Sequence, residues 1–178
     1  LDPDNRLIEM QQAEYDSEDF FQAILADHPS LLGLGGGTDG KLLLICRETP
    51  VPDEEAGSGR WSLDHLFLDR AGVPVLVEVK RSSDTRVRRE VVAQMLDYAA
   101  NGIAYWPIEQ IVGSFRESTA KANDSPDAVL DTFLGGGSAE EYWKQVESNL
   151  RSGRIRAAPC VSRSHRPAGP GSGRSHPE

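Results

Sequence analysis

The stretch from Arg60 to Tyr98, RWSLDHLFLDRAGVPVLVEVKRSSDTRVRREVVAQMLDY, leaves this chain few ways to fold. Two apolar runs flank Arg70-Ala71-Gly72, and runs joined so tightly pair as antiparallel neighbours. Side chains alternate along a strand, so Leu76, Glu78 and Lys80 share one side and Val75, Val77 and Val79 the other. In the first run Ser62, Asp64, Leu66 and Leu68 share a side. A turn centred on Ala71 sets Leu66 opposite Leu76 and Asp64 opposite Glu78, with directly opposed Cβ atoms about 5 Å apart. Two carboxylates that close repel unless one is protonated or a cation lies between them. Magnesium or manganese, held by carboxylate and carbonyl oxygens and by water, suits such a seat. Lys80 follows on the same face, where its ammonium can reach a phosphate or an attacking water.

The spacing then predicts a helix over Asp84–Asn101, closed by Gly102. At 3.6 residues per turn, Val87, Val91, Gln94, Met95 and Tyr98 lie within about 80° of one another, so Gln94 and Tyr98 belong to the inward face. A buried glutamine needs hydrogen-bond partners, and the acid pair offers them.

Upstream, Asp16-Ser17-Glu18-Asp19 reads as the start of a helix that stops before Pro29. Lys41–Val51 is extended and Asp53–Gly59 is an acidic loop. The intervening GGGTDGKL has the spacing of a phosphate-binding loop. Leu42, however, stands where that loop needs Ser or Thr, and a strand rather than a helix follows. Downstream, Ile103–Trp106 reads as a short strand. Helices are expected over Pro107–Glu117, Ser125–Phe133 and Ser138–Leu150, the last opened by the Ser138/Glu141 capping box. From about Ala158 the chain turns to Pro, Gly, Ser, Arg and His. That composition predicts a disordered tail, since little apolar surface offsets the entropy of ordering it.

Charge constrains the partners. The whole chain carries −9, but residues 151–178 hold six arginines against Glu178, which leaves −14 on the first 150 residues. An acidic body approaches a phosphate backbone only through concentrated positive charge or bound cations. Lys80, Arg81, Arg86, Arg88 and Arg89 supply such a concentration. The longest apolar runs fall short of the roughly 18 residues of a membrane span, and nothing resembles a signal peptide, so a cytoplasmic address is expected. Cys46 and Cys160 have no metal-type spacing and fit a reducing compartment.

Asp64, then VPVLVEVK at 73–80 and QMLDY at 94–98, resemble the PD-(D/E)XK nuclease superfamily. The likeness is to small bacterial members related to mismatch-type, restriction-endonuclease-like enzymes, and it covers about residues 14–106. It implies an α/β (α+β) core, a mixed sheet flanked by helices, and metal-dependent hydrolysis of phosphodiester bonds in nucleic acid, DNA foremost. By position, the resemblance makes Asp64, Glu78 and the Val79 carbonyl ligands of Mg2+ or Mn2+. Lys80 becomes the group that orients water or stabilises charge, and Gln94 the auxiliary helix residue with Tyr98 behind it. It assigns a further acid on the first helix to Glu18, with Glu14 as alternative, and phosphate contacts to Arg47, Arg60 and Arg81.

The expected organisation is a lead-in over 1–13, a domain over 14–156 with a helical extension from 107 to 152, and the basic tail over 157–178. Family members follow such a helix with an apolar strand. Its replacement here by a polar tail reads as a reading-frame change, which would leave the sheet one strand short and its edge open to homodimerisation. The alternative function is a non-catalytic nucleic-acid- or protein-binding module on the same fold, favoured by the acidic body and opposed by the intact acid–acid–lysine set.

Overall fold

In the computed structural model, residues 17–34, 40–51, 61–81 and 85–162 are described. The lead-in, Glu14, Arg60, residues 35–39 of the loop that resembles a phosphate cradle and residues 163–178 fall outside them. Four strands form a mixed sheet in the order β1 (Leu42–Val51), β2 (Trp61–Asp69), β3 (Pro74–Arg81) and β4 (Arg156–Ser162). Helices α1 (Glu18–Asp27), α2 (Thr85–Tyr105), α3 (Ile108–Lys121), α4 (Pro126–Leu134) and α5 (Ala139–Arg151) flank it, giving an α+β fold.

The hairpin is built as its sequence demands. Leu66 pairs with Leu76 and Phe67 with Val75. At the turn, Asp69 Oδ1 accepts the amides of Ala71 and Val73, both at 2.9 Å, and Gly72 adopts φ +70°. A Cβ at Gly72 would stand 3.1 Å from the Val146 backbone nitrogen, so glycine lets α5 press against the turn. Tyr142 donates its hydroxyl to the Asp69 carbonyl at 2.8 Å, and Asn149 its amide to the Ala71 carbonyl at 2.9 Å.

The alternation of β3 divides the core. Val75, Val77 and Val79 lie with Leu25 of α1 and Ala158 of β4 in one apolar cluster. Leu76 joins Leu66, Leu68, Val91, Met95, Ile111, Phe115 and Val146 in the other. Each such side chain contributes about 1.5–3 kcal/mol through burial.

Helix caps follow the sequence closely. Ser17, Ser125 and Ser138 each accept an amide three residues on. In α3 and α4 the helices run one to four residues past their expected ends.

Two expectations are corrected. Residues 103–105 extend α2 instead of forming a strand, and Gly102 lies inside that helix. An internal glycine costs a helix about 1 kcal/mol without ending it, and β4 already occupies the free edge of β3. The second correction concerns the tail. Residues 157–162 are strand, not disorder, and they pair in parallel with β3 from Val75↔Arg156 to Arg81↔Ser162. The sheet therefore has the strand that a reading-frame change was expected to remove. Its stabilising groups are backbone amides and carbonyls, which composition does not reveal.

Candidate active site

At one end of the hairpin the two central strands part company. Their pairing ends at His65↔Val77; beyond it β2 continues along β1, and β3 along β4. Asp64 and Glu78 are the first residues past that divergence. Asp64 bridges the gap, its Oδ2 accepting the Val79 amide at 2.7 Å. The carboxylate thus takes the place of a ladder carbonyl, which fixes its orientation.

Glu78 is 1% exposed and lies on the side of the sheet that carries Leu76. Its Oε1 pairs with the Lys80 ammonium at 3.0 Å, while its Oε2 is buried and finds no hydrogen-bond partner among the described residues. A buried carboxylate oxygen left without a donor is costly, so it marks a place where a cation or a proton would be stabilised.

The titration tendencies agree with that geometry. Burial pushes the Glu78 carboxyl above its ordinary value, and the Asp64 charge adds to the effect against the opposing pull of Lys80 and of the Asp64 backbone amide. Asp64 is also raised, by burial first and then by the charges of Glu18 and Glu48, while the Val79 amide and Lys80 oppose. For Lys80, burial works against the ammonium, but the Glu78 contact and the charges of Asp64 and Glu18 carry its pKa above the ordinary range. Each acid would therefore release its proton more readily beside a divalent cation.

Glu18, in the first turn of α1, is thus close enough for its charge to act on both Asp64 and Lys80. Gln94 is half-buried on α2, on the side whose neighbours Val91 and Met95 are fully buried. Tyr98 lies on α2 and Arg81 ends β3, but their side chains fall outside the described residues. Arg47 is placed differently from its expected phosphate role. Its guanidinium contacts Asp19 at 2.8 Å and the Gln22 side chain at 3.4 Å, across the sheet from the acid pair.

Glu48 was not singled out by sequence. The register of β1 slips between Leu44 and Cys46, and Ser118 of α3 bonds the Ile45 carbonyl there at 2.5 Å. The slip sets Glu48, between the Arg47↔His65 and Thr49↔Leu63 pairs, level with Asp64, at φ +50°. No sequence signal announces a bulge. Glu48, Arg47 and Cys46 line an open groove of about 600 Å³ between β1 and α3, together with Ser114, Ser118 and Lys121.

Among the described residues no three His, Cys, Asp or Glu side chains converge tightly enough to hold a metal on their own. The Asp64 and Glu78 carboxylates form a smaller donor set, to which the resemblance adds the Val79 carbonyl. Its chemistry matches magnesium, which is held by one or two carboxylates and keeps waters or substrate phosphates as its remaining ligands. No described helix is long and apolar enough to cross a membrane. No family model matches the chain, and neither a curated protein nor a solved structure does.

Proposed function

We propose that the chain is a divalent-metal-dependent nuclease that hydrolyses phosphodiester bonds, with DNA the foremost substrate. The observation that carries this is Glu78: a buried carboxylate with one oxygen paired to Lys80 and the other without a partner among the described residues, set beside the oriented Asp64. Structural acids are normally satisfied on both oxygens. One left half-satisfied at the point where two strands separate is suited to a ligand that bears positive charge.

Asp64, Glu78 and the Val79 carbonyl are the residues that would hold Mg2+ or Mn2+ in this reading. When bound, the ion supplies a water of lowered pKa and neutralises charge on the phosphate. Asp64 is oriented for its part by the Val79 amide. Lys80, drawn toward Glu78, keeps its ammonium charged at the mouth of the site, where it favours an anionic phosphate and an attacking oxygen. Gln94, half-buried on α2, is the residue that orients water or substrate in this reading. Because both carboxyl pKas are raised, protons compete with the cation increasingly as pH falls.

The deciding experiment is a panel of labelled single- and double-stranded DNA and RNA incubated with each metal. Cleavage that needs Mg2+ or Mn2+ is expected, and it should fall at least about a hundredfold in Glu78→Gln and Lys80→Ala while both variants stay folded. Wild-type rates in both variants would sink the proposal. A calorimetric titration that finds no Mn2+ binding and no cleavage would instead favour the non-catalytic binding module.

A further inference from the structure

The side of the sheet away from the acid pair carries a polar cluster that the proposed reaction does not use. Arg47 and His65 are direct partners in the β1–β2 register. His65 is completely buried and stacks on Phe67, ring centroids 5.5 Å apart. Its Nε2 lies 2.8 Å from the Gln22 carbonyl in the middle of α1. A carbonyl only accepts, so Nε2 carries the hydrogen and Nδ1 the lone pair. Arg47 reaches the same helix one turn earlier, at Asp19 and at the Gln22 side chain. The two contacts therefore grip α1 at residues 19 and 22, beside Glu18.

The grip is placed where the helix needs it. A ten-residue helix has little stability of its own. Its fully buried apolar anchor, Leu25, is near the C-terminal end, whereas Phe20 is half exposed. The turn that carries Glu18 is held by the Ser17 cap, by Phe21 packed against the valine side of β3, and by these polar contacts. Asp19 is open to solvent, which makes its ion pair a weak tether alone. The buried bond from His65 fixes the depth of the helix, and the arginine fixes its rotation. Arg47 Nε and His65 Nδ1 are both buried without a partner among the described residues, a donor and an acceptor on paired residues. Burying such groups without partners is costly.

We infer that Arg47 and His65 are positioning residues that hold the first turn of α1 from the far side of the sheet, so that the negative charge of Glu18 stays within reach of Asp64 and Lys80. The inference rests on the nuclease proposal for its consequence in activity, but not for the contact itself. Arg47 then has no role as a phosphate contact.

Amide hydrogen exchange and Mn2+ titration on the full chain test it, in wild type, Arg47→Met, Arg47→Lys and His65→Phe. The phenylalanine keeps the ring against Phe67 and removes the donor. Arg47→Met and His65→Phe should speed exchange in the first two turns of α1 while residues 64–79 keep their protection. Both should weaken Mn2+ binding about tenfold and lower kcat with KM unchanged, as loss of a ligand-orienting group does. Arg47→Lys should recover part of the loss. In a Glu18→Gln background, Arg47→Met should weaken Mn2+ binding no further, because both changes remove the same interaction. Fully additive losses, or Arg47→Met that raises KM with α1 exchange unchanged, overturn the inference. A wild-type protein that binds no Mn2+ and cleaves nothing overturns the nuclease proposal instead. The exchange data then decide the positioning role alone, and unaltered α1 protection in both variants ends it.

Discussion

The β2–β3 hairpin buries an acid at each end, and the two are treated in opposite ways. Asp69, at the turn, accepts two backbone amides on one oxygen and meets Arg156 with the other at 3.4 Å. Its own carbonyl accepts the Tyr142 hydroxyl. Glu78, at the other end, has a lysine on one oxygen and nothing on the second among the described residues. Both acids are less than a tenth exposed. Burial alone therefore does not separate the two carboxylates; what sets Glu78 apart, and what the nuclease proposal rests on, is its incomplete satisfaction. The turn end is a joint between the sheet and α5, and the divergent end is where the proposed reading seats its cation.

The sharpest way to break this contrast is to exchange the consequences. Glu78→Gln should remove cleavage by at least about a hundredfold and leave the melting temperature near that of wild type. Asp69→Ala should do the reverse, destabilising the fold by roughly 3 kcal/mol in denaturant titrations, since two amides and Arg156 lose their acceptor. Its folded fraction should cleave at the wild-type rate. A catalytic defect in folded Asp69→Ala would erase the distinction between the ends.

Gly72→Ala bears on the turn end alone. The left-handed φ of +70° and the 3.1 Å approach to Val146 should together cost about 2 kcal/mol in chemical unfolding. Activity at low temperature should survive.

The smallest effect sharpens the other end. Asp64→Asn should stabilise the metal-free protein by about 1 kcal/mol at neutral pH, because it removes repulsion with Glu78 and leaves an oxygen for the Val79 amide. Asp64 and Glu78 have folded pKas above their unfolded values, so the native state takes up their protons first. Their destabilising effect is absent below the ordinary carboxylate range and grows as pH rises through the folded values. The gap between variant and wild type should therefore shrink on acidification. His65 acts in the other direction. Burial lowers its pKa to about 4, so its contribution is intact above 6.5 and is lost as pH falls toward 4, equally in both proteins. Melting curves across this range measure the gap, and a gap that widens in acid would contradict the repulsion.

Much of the site was legible because its parts are near neighbours in sequence. Alternation along two strands and one glycine turn place Asp64, Glu78 and Lys80 together, and helical phase puts Gln94 on the covered side of α2. His65 could have been flagged by the same parity, since it interrupts the side of β2 that carries Phe67, and a buried polar group there demands a partner. Which partner was not readable: Gln22 lies 43 residues away. Glu48 was hidden for another reason, because a bulge shifts every later residue of β1 by one place.

By itself, then, the sequence determined the hairpin, its register, the capped helices and the acid–acid–lysine set. All of these follow from interactions within a turn or a strand pair. Only the tertiary structure decided that β4 pairs with β3, that residues 103–105 remain helix, and that Arg47 turns to α1. Those outcomes depend on groups brought together from distant parts of the chain, as Val75 meets Arg156 across the parallel ladder. Backbone amides and buried lone pairs drive them, and residue type records neither.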